Sequence, residues 1–353
     1  PSPTPQILLR LSENWCRQSE WLPAAGAAPE ITAQLSEGSL TMITAAELSR
    51  RTMLASAGAV ALGHLVSTAS ADDDKTPWID AHSHIWTTDL ARYPLRAGQG
   101  IEVLKPQSFT ADELLAIAQP LGVGRAVLIQ HYPYHGFDNS LLIDAWKQRP
   151  DTFRIVGMID DLLPHADVRM RELLKTGVTG FRISAREDRK DWLTGPGMEL
   201  MWKTAAGTRQ NICCLINPWE LESVGKWCTR YPETPVVIDH FARIGMTGTI
   251  SESDLQMLCE LSKRPLVRVK ISAYYALGNK RPPHTELIPM IRRLLDRFGP
   301  DRLMWASDSP YQMTAPSTYA SSLALMLEQL DFLSAGDRRK VLRTTAESTY
   351  FFA

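Results

Sequence analysis

At 353 residues, 44% of them hydrophobic and 22% charged, the chain can bury a large core, as one big α/β domain or two smaller ones. Its 38 basic and 39 acidic residues leave a formal net charge of -1 with both signs scattered. That excludes the one-signed field that attracts nucleic acid or an anionic membrane, and leaves a small molecule as the expected partner.

The first informative segment is Leu48-Ser49-Arg50-Arg51-Thr52-Met53-Leu54, followed by an uncharged run from Ala55 to Ala71. Paired arginines ahead of a short, weakly hydrophobic stretch, closed by Ala69-Ser70-Ala71, have the layout of a twin-arginine export signal. Residues 1–41 then read as a disordered upstream extension, 42–71 as the signal peptide and 72–353 as the mature domain, which would work in the periplasm. Gly58, Gly63 and His64 interrupt the apolar stretch, so a stable membrane span is not expected. Cys16, Cys213, Cys214, Cys228 and Cys259 form neither a CxxC pair nor a disulfide framework and read as small hydrophobes.

After Thr76, short apolar runs alternate with longer amphipathic segments, the pattern of repeated βα units. Eight runs can be counted: Trp78–Ala81, Arg125–Gln130, Arg154–Ile159, Val178–Ile183, Ile212–Ile216, Val236–Asp239, Leu266–Ile271 and Arg302–Ala306. Runs such as Ala126-Val127-Leu128-Ile129 are apolar on both faces, as strands covered on both sides should be. Thr110 and Glu113 form a capping box before one helical segment, and Ser334 precedes the last. Eight strands, each followed by a helix, predict a (β/α)₈ TIM barrel; a doubly wound open sheet is the structural alternative, disfavoured because no glycine-rich phosphate loop follows the first run.

Catalytic groups of such barrels sit at the C-terminal strand ends. Here these offer Asp80, His82 and His84; Gln130 and His131; Asp160 and Asp161; Arg182 and Ser184; Asn217; Asp239 and His240; Lys270, Ser272 and Tyr274; and Ser307-Asp308-Ser309. Two histidines one residue apart on a strand point the same way, so His82 and His84 can share one divalent, zinc-like cation, with Asp308 from the neighbouring last strand as third ligand or as the base that activates water. His240 faces the same cavity and can bind metal, contact substrate or pass a proton. Arg182 ends an apolar strand and needs an anionic partner, either a structural carboxylate or, slightly favoured, an anionic substrate; Lys270, Tyr274 and Gln130 are further candidate substrate contacts. His131, His135 and His284 read as surface or hydrogen-bonded residues.

Ile79-Asp80-Ala81-His82-Ser83-His84-Ile85-Trp86, Val237-Ile238-Asp239-His240 and Trp305-Ala306-Ser307-Asp308-Ser309-Pro310 together resemble the amidohydrolase superfamily. More narrowly, with Gly136–Ser140, Gly180-Phe181-Arg182 and Val269–Ser272, they resemble the branch holding sugar lactonases and the pyrone-dicarboxylate and sulfomuconolactone hydrolases. The resemblance implies His82 and His84 as metal-binding or carbonyl-polarising groups, His240 as an active-site histidine, Asp308 as general base and Arg182 as the contact to a substrate carboxylate. The lysine on strand 4 or histidine on strand 5 that accompanies firm metal sites in the superfamily is absent, which argues against two ions and makes a single one optional. The expected activity is therefore opening of a lactone or similar cyclic ester of an anionic small molecule. A non-oxidative decarboxylase of the same superfamily and a non-catalytic exported binding barrel are the alternatives.

Overall fold

Eight parallel strands pair in sequence order in a computed structural model of the protein, which describes residues 77–185 and 192–352. They are β1 (Trp78–Ser83), β2 (Val123–Ile129), β3 (Phe153–Gly157), β4 (Val178–Ser184), β5 (Asn211–Leu215), β6 (Val236–Ile238), β7 (Val267–Ile271) and β8 (Leu303–Trp305). The expected signal peptide, the upstream extension and Cys16 lie outside the described residues. Among the described residues no helix is long and apolar enough to cross a membrane.

The order β1 to β8 has no reversal point, so the open doubly wound alternative is excluded. Closure comes from the strand ends: Ser83 and Ser309 form a parallel bridge, Asp308 N donates to His82 O at 2.8 Å, and His84 N donates to Ser309 O at 2.7 Å. A helix follows every strand. The Thr110 capping box forms as expected, Glu113 Oε2 accepting from Thr110 N at 2.6 Å, and Ser334 caps the helix Ala335–Arg339.

Strand alternation divides the core in two. One set, including Leu128, Ile155, Phe181, Ile183, Cys214, Ile238, Ile271 and Trp305, packs outward against the helices. The other, Ile79, Ala81, Val127, Ile129, Val156, Cys213, Val237, Met304 and Ala306, fills the barrel interior together with Ala346 and Tyr350. The helix Thr345–Tyr350 thus supplies the floor of the barrel. Cys213, Cys214, Cys228 and Cys259 are all buried, unpaired thiols.

Candidate active site

Alternation alone would aim the paired histidines away from the lumen. Ile79 and Ala81 face inward, so an unbroken strand would next turn Ser83 inward. The β1–β2 register slips between Asp80 and Ser83, and a bulge of this kind re-aims the side chains beyond it. His82 and His84 therefore both enter the interior, while Asp80 turns to the seam with β8. There its Oδ2 accepts from Ser83 Oγ at 2.7 Å, Ser307 Oγ at 2.5 Å and Tyr319 Oη at 3.0 Å. Its Oδ1 accepts from the backbone N–H groups of His82 at 3.1 Å and Ser307 at 2.8 Å. One carboxylate thus fixes both the strand bearing the histidines and the strand bearing Asp308.

At the centre, Asp308 Oδ1 lies 3.4 Å from His82 Nε2 and 3.4 Å from His84 Nε2. Its Oδ2 accepts from Tyr275 Oη at 3.0 Å and is 3.8 Å from His240 Nε2. Burial alone would raise the Asp308 pKa, but His240, His84 and His82 outweigh it and hold the carboxyl well below its ordinary range. His240 is the reverse case: burial lowers it to about 4 against the pull of Asp308 and Asp239, so the imidazole is neutral at physiological pH. Burial, reinforced by Lys270 and His240, likewise keeps His82 well below the ordinary value.

Beneath this layer Asp239 joins two cations, with Lys270 Nζ 3.1 Å from its Oδ1 and an Arg182 guanidinium nitrogen 3.3 Å from its Oδ2. Burial opposes ionisation of Asp239, and Lys270, His82 and Arg182 overcome it. Lys270 also reaches His82 Nδ1 at 3.3 Å and is fully buried, so its amine supports the cluster from below. Arg182 lies 2.9 Å from His82 Nε2 and also lines a narrow recess with Met158, Asp161, Ile183, Trp192, Met198 and Met201.

His240 is held by a backbone feature with no sequence signature. His240, Phe241, Ala242 and Arg243 have φ of 52°, 54°, 52° and 59°, a left-handed turn closed by Ala242 N donating to Asp239 O at 3.0 Å. Left-handed backbone costs about 1–2 kcal/mol for each residue carrying a Cβ. The turn sets His240 Nδ1 2.7 Å from Ser272 Oγ and buries Arg243, which donates to Asn217 Oδ1 at 3.1 Å.

Three expected substrate contacts are placed elsewhere, Lys270 among them, fully buried on Asp239 beneath the cluster. Tyr274 Oη donates to Ile271 O at 3.2 Å and the ring packs against Phe241 and His284. Ala273, with φ of 60°, breaks the strand-like alternation, so Tyr275 rather than Tyr274 reaches Asp308. Gln130 Nε2 is spent on Gly136 O at 3.1 Å and Asp138 O at 2.7 Å, tying down the loop after β2. His131, read as a hydrogen-bonded residue, shares a 2.7 Å hydrogen bond with Tyr311 Oη, and its ring stands edge-on to His84 at 5.0 Å. Tyr275, Tyr311 and Arg243 are the site residues that the strand-end count passes over.

The donor set suits one divalent ion. His84 Nδ1 is 2.9 Å from Ile129 O; a carbonyl only accepts, so Nδ1 carries the proton and Nε2 keeps its lone pair toward Asp308. A second hydrogen bond to a backbone carbonyl is the usual way a metal-binding imidazole is oriented. The donor atoms of His82, His84 and Asp308 lie within 4.8 Å of one another, a two-imidazole, one-carboxylate set that fits a zinc-like ion. His82, Asp239 and His240 also cluster, but Asp239 already carries Lys270 and Arg182, which leaves no charge for a second ion.

A (β/α)₈ barrel with this His–His–Asp cluster at the C-terminal strand ends defines a hydrolase. Residues 79–352 match the family model described as Amidohydrolase, and the chain belongs to that family. A 4-sulfomuconolactone hydrolase of Rhizobium radiobacter is 27% identical over 211 residues, 58% of this chain and 68% of that one. An L-fucono-1,5-lactonase of Burkholderia ambifaria is 26% identical over 241 residues, 67% of this chain and 81% of that one. Among solved structures, an amidohydrolase of Burkholderia multivorans with bound zinc superposes with a TM-score of 0.67 at 24% identity, covering 78% of this chain and 100% of that one.

Proposed function

We propose that the protein opens a lactone or similar cyclic ester of an anionic small molecule. The observation that carries this reading is Asp308: an ionised, buried carboxylate whose Oδ1 is 3.4 Å from the Nε2 atoms of both His82 and His84, with a guanidinium beside them. Arg182 binds the substrate's anionic group, and the apolar wall of Met158, Ile183, Trp192, Met198 and Met201 takes the ring. Asp308 accepts a proton from water as the oxygen adds to the ring carbonyl, and the ring C–O bond breaks as that proton passes to the departing oxygen, giving the hydroxy acid. Neutral His240, braced by Ser272, donates or accepts a hydrogen bond at the same centre. A divalent ion held by His82, His84 and Asp308 would polarise the carbonyl and lower the pKa of the attacking water. The names of both lactone-hydrolysing relatives support the reading.

Asp308→Asn keeps the shape and removes the base. Turnover of a panel of anionic lactones, followed by acid release, should fall by about 10²–10⁴-fold, the usual contribution of a positioned base. Ligand-induced thermal stabilisation should survive. Near-wild-type turnover in that variant would remove Asp308 from the role; carbon dioxide release without ring opening would select decarboxylation, and binding without turnover a non-catalytic barrel. The paired arginines Arg50 and Arg51 support export before function, which a periplasmic protein beginning near Asp72 would bear out and a full-length cytoplasmic one would refute.

A further inference from the structure

The cation nearest the paired histidines belongs to the chain itself. An Arg182 guanidinium nitrogen lies 2.9 Å from His82 Nε2, the same atom that faces Asp308 Oδ1 at 3.4 Å. Guanidinium only donates, so His82 Nε2 must offer it the ring's one lone pair. The other ring nitrogen then carries the proton toward the Asp239 carboxylate at 3.6 Å, and Lys270 Nζ, 3.3 Å from that nitrogen, donates to Asp239 Oδ1 at 3.1 Å instead. A divalent ion shared by His82, His84 and Asp308 would need that same lone pair, at about 2.0–2.1 Å.

We infer that Arg182 and a divalent cation are mutually exclusive occupants of His82 Nε2, and that an anion in the adjoining recess decides between them by drawing the guanidinium away. Two features support the exchange. Arg182 already borders the recess, as the one cation among the described residues that line it, with Met158, Ile183, Trp192, Met198, Ser184 and the carboxylate of Asp161. Its buried Nε has no hydrogen-bond partner, so an incoming carboxylate finds a donor to spare. Asp239, which would lose one cation, keeps Lys270 at 3.1 Å. Linkage then requires anion and metal to strengthen each other's binding by the same factor.

This exchange rests on the cluster's capacity for one ion, not on the lactone reading, and is tested without substrate. Zinc affinity of the full-length protein is measured by competition with a chromophoric chelator. Arg182→Met should bind zinc at least tenfold more tightly than the wild type. Arg182→Lys, which keeps the charge on a shorter arm, should also gain affinity; a value equal to the wild type would reduce the effect to simple repulsion and overturn the inference. Benzoate, a ring carboxylate, should tighten zinc binding to the wild type and leave Arg182→Met unchanged. Zinc affinity indifferent to benzoate in the wild type, or no zinc binding by any of the three proteins, would also overturn it, and the benzoate arm stands even where a variant misfolds.

Discussion

Lowering the pH from 7 to 4 should destabilise this protein through His240, by an amount the structure sets. Burial holds that imidazole at about 4 in the folded chain, against an ordinary value of 6.5. Between those values the unfolded chain binds a proton that the folded one refuses, so stability rises with pH across the window and is lost as pH falls through it. At 1.36 kcal/mol per unit, the full interval is worth about 3 kcal/mol. Asp308 does not confuse the reading: its folded pKa is depressed, so its contribution fades only as pH approaches its ordinary 3.8. Urea unfolding with chelator present, at half-unit pH steps, should give a steeper pH dependence for the wild type than for His240→Gln, with the curves converging by about 3 kcal/mol toward pH 4. Burial of His131 acts in both proteins alike, and His82 loses in the variant only the contribution of His240, which is smaller than that of its burial. Parallel curves would refute the claim that His240 is buried neutral.

Three further outcomes are expected. Tyr275→Phe removes the 3.0 Å donor to Asp308 Oδ2 and should lower kcat about tenfold, with the acidic limb of the pH–rate profile shifted upward; an unchanged profile would sever Tyr275 from the base. Tyr350→Ala opens the barrel floor and should cost about 3–5 kcal/mol by analogy with other large aromatic truncations, read by thermal unfolding. Ala242→Gly should leave stability unchanged or raised, because release of left-handed strain of about 1–2 kcal/mol offsets the backbone entropy glycine adds; a loss above about 1 kcal/mol would contradict the strain.

Most of the frame is legible in the residues because burial on both faces leaves an unmistakable mark: all eight strands fall within about two residues of their apolar runs. The deep part of the cluster is legible for the same reason. Arg182, Asp239 and Lys270 are polar residues at interior-facing positions toward the C-terminal ends of the apolar runs, and the structure brings them together. What escapes the sequence is whatever depends on a break in alternation. The slip in β1 aims His82 and His84 inward, where a count from Ile79 and Ala81 would aim them out. Ala273 exchanges Tyr274 for Tyr275, and the left-handed turn at His240 places Arg243. None of these residues is a glycine, so no local composition announces the conformations. Gln130 misleads differently, since a strand-end amide satisfies two loop carbonyls as readily as a ligand.

The Asp80 carboxylate has a consequence for the order in which the molecule assembles. Its side-chain donors come from 3, 227 and 239 residues along the chain, at Ser83, Ser307 and Tyr319. Contacts that distant form late, because the loop between them must first be closed. Until β8 docks, Asp80 has only Ser83 Oγ and His82 N as donors, and the bulge that turns the two histidines inward is held by those local bonds alone. The hydrolytic centre is therefore complete only once β8 has docked, and a chain stalled before closure carries every catalytic residue without a site to put them in.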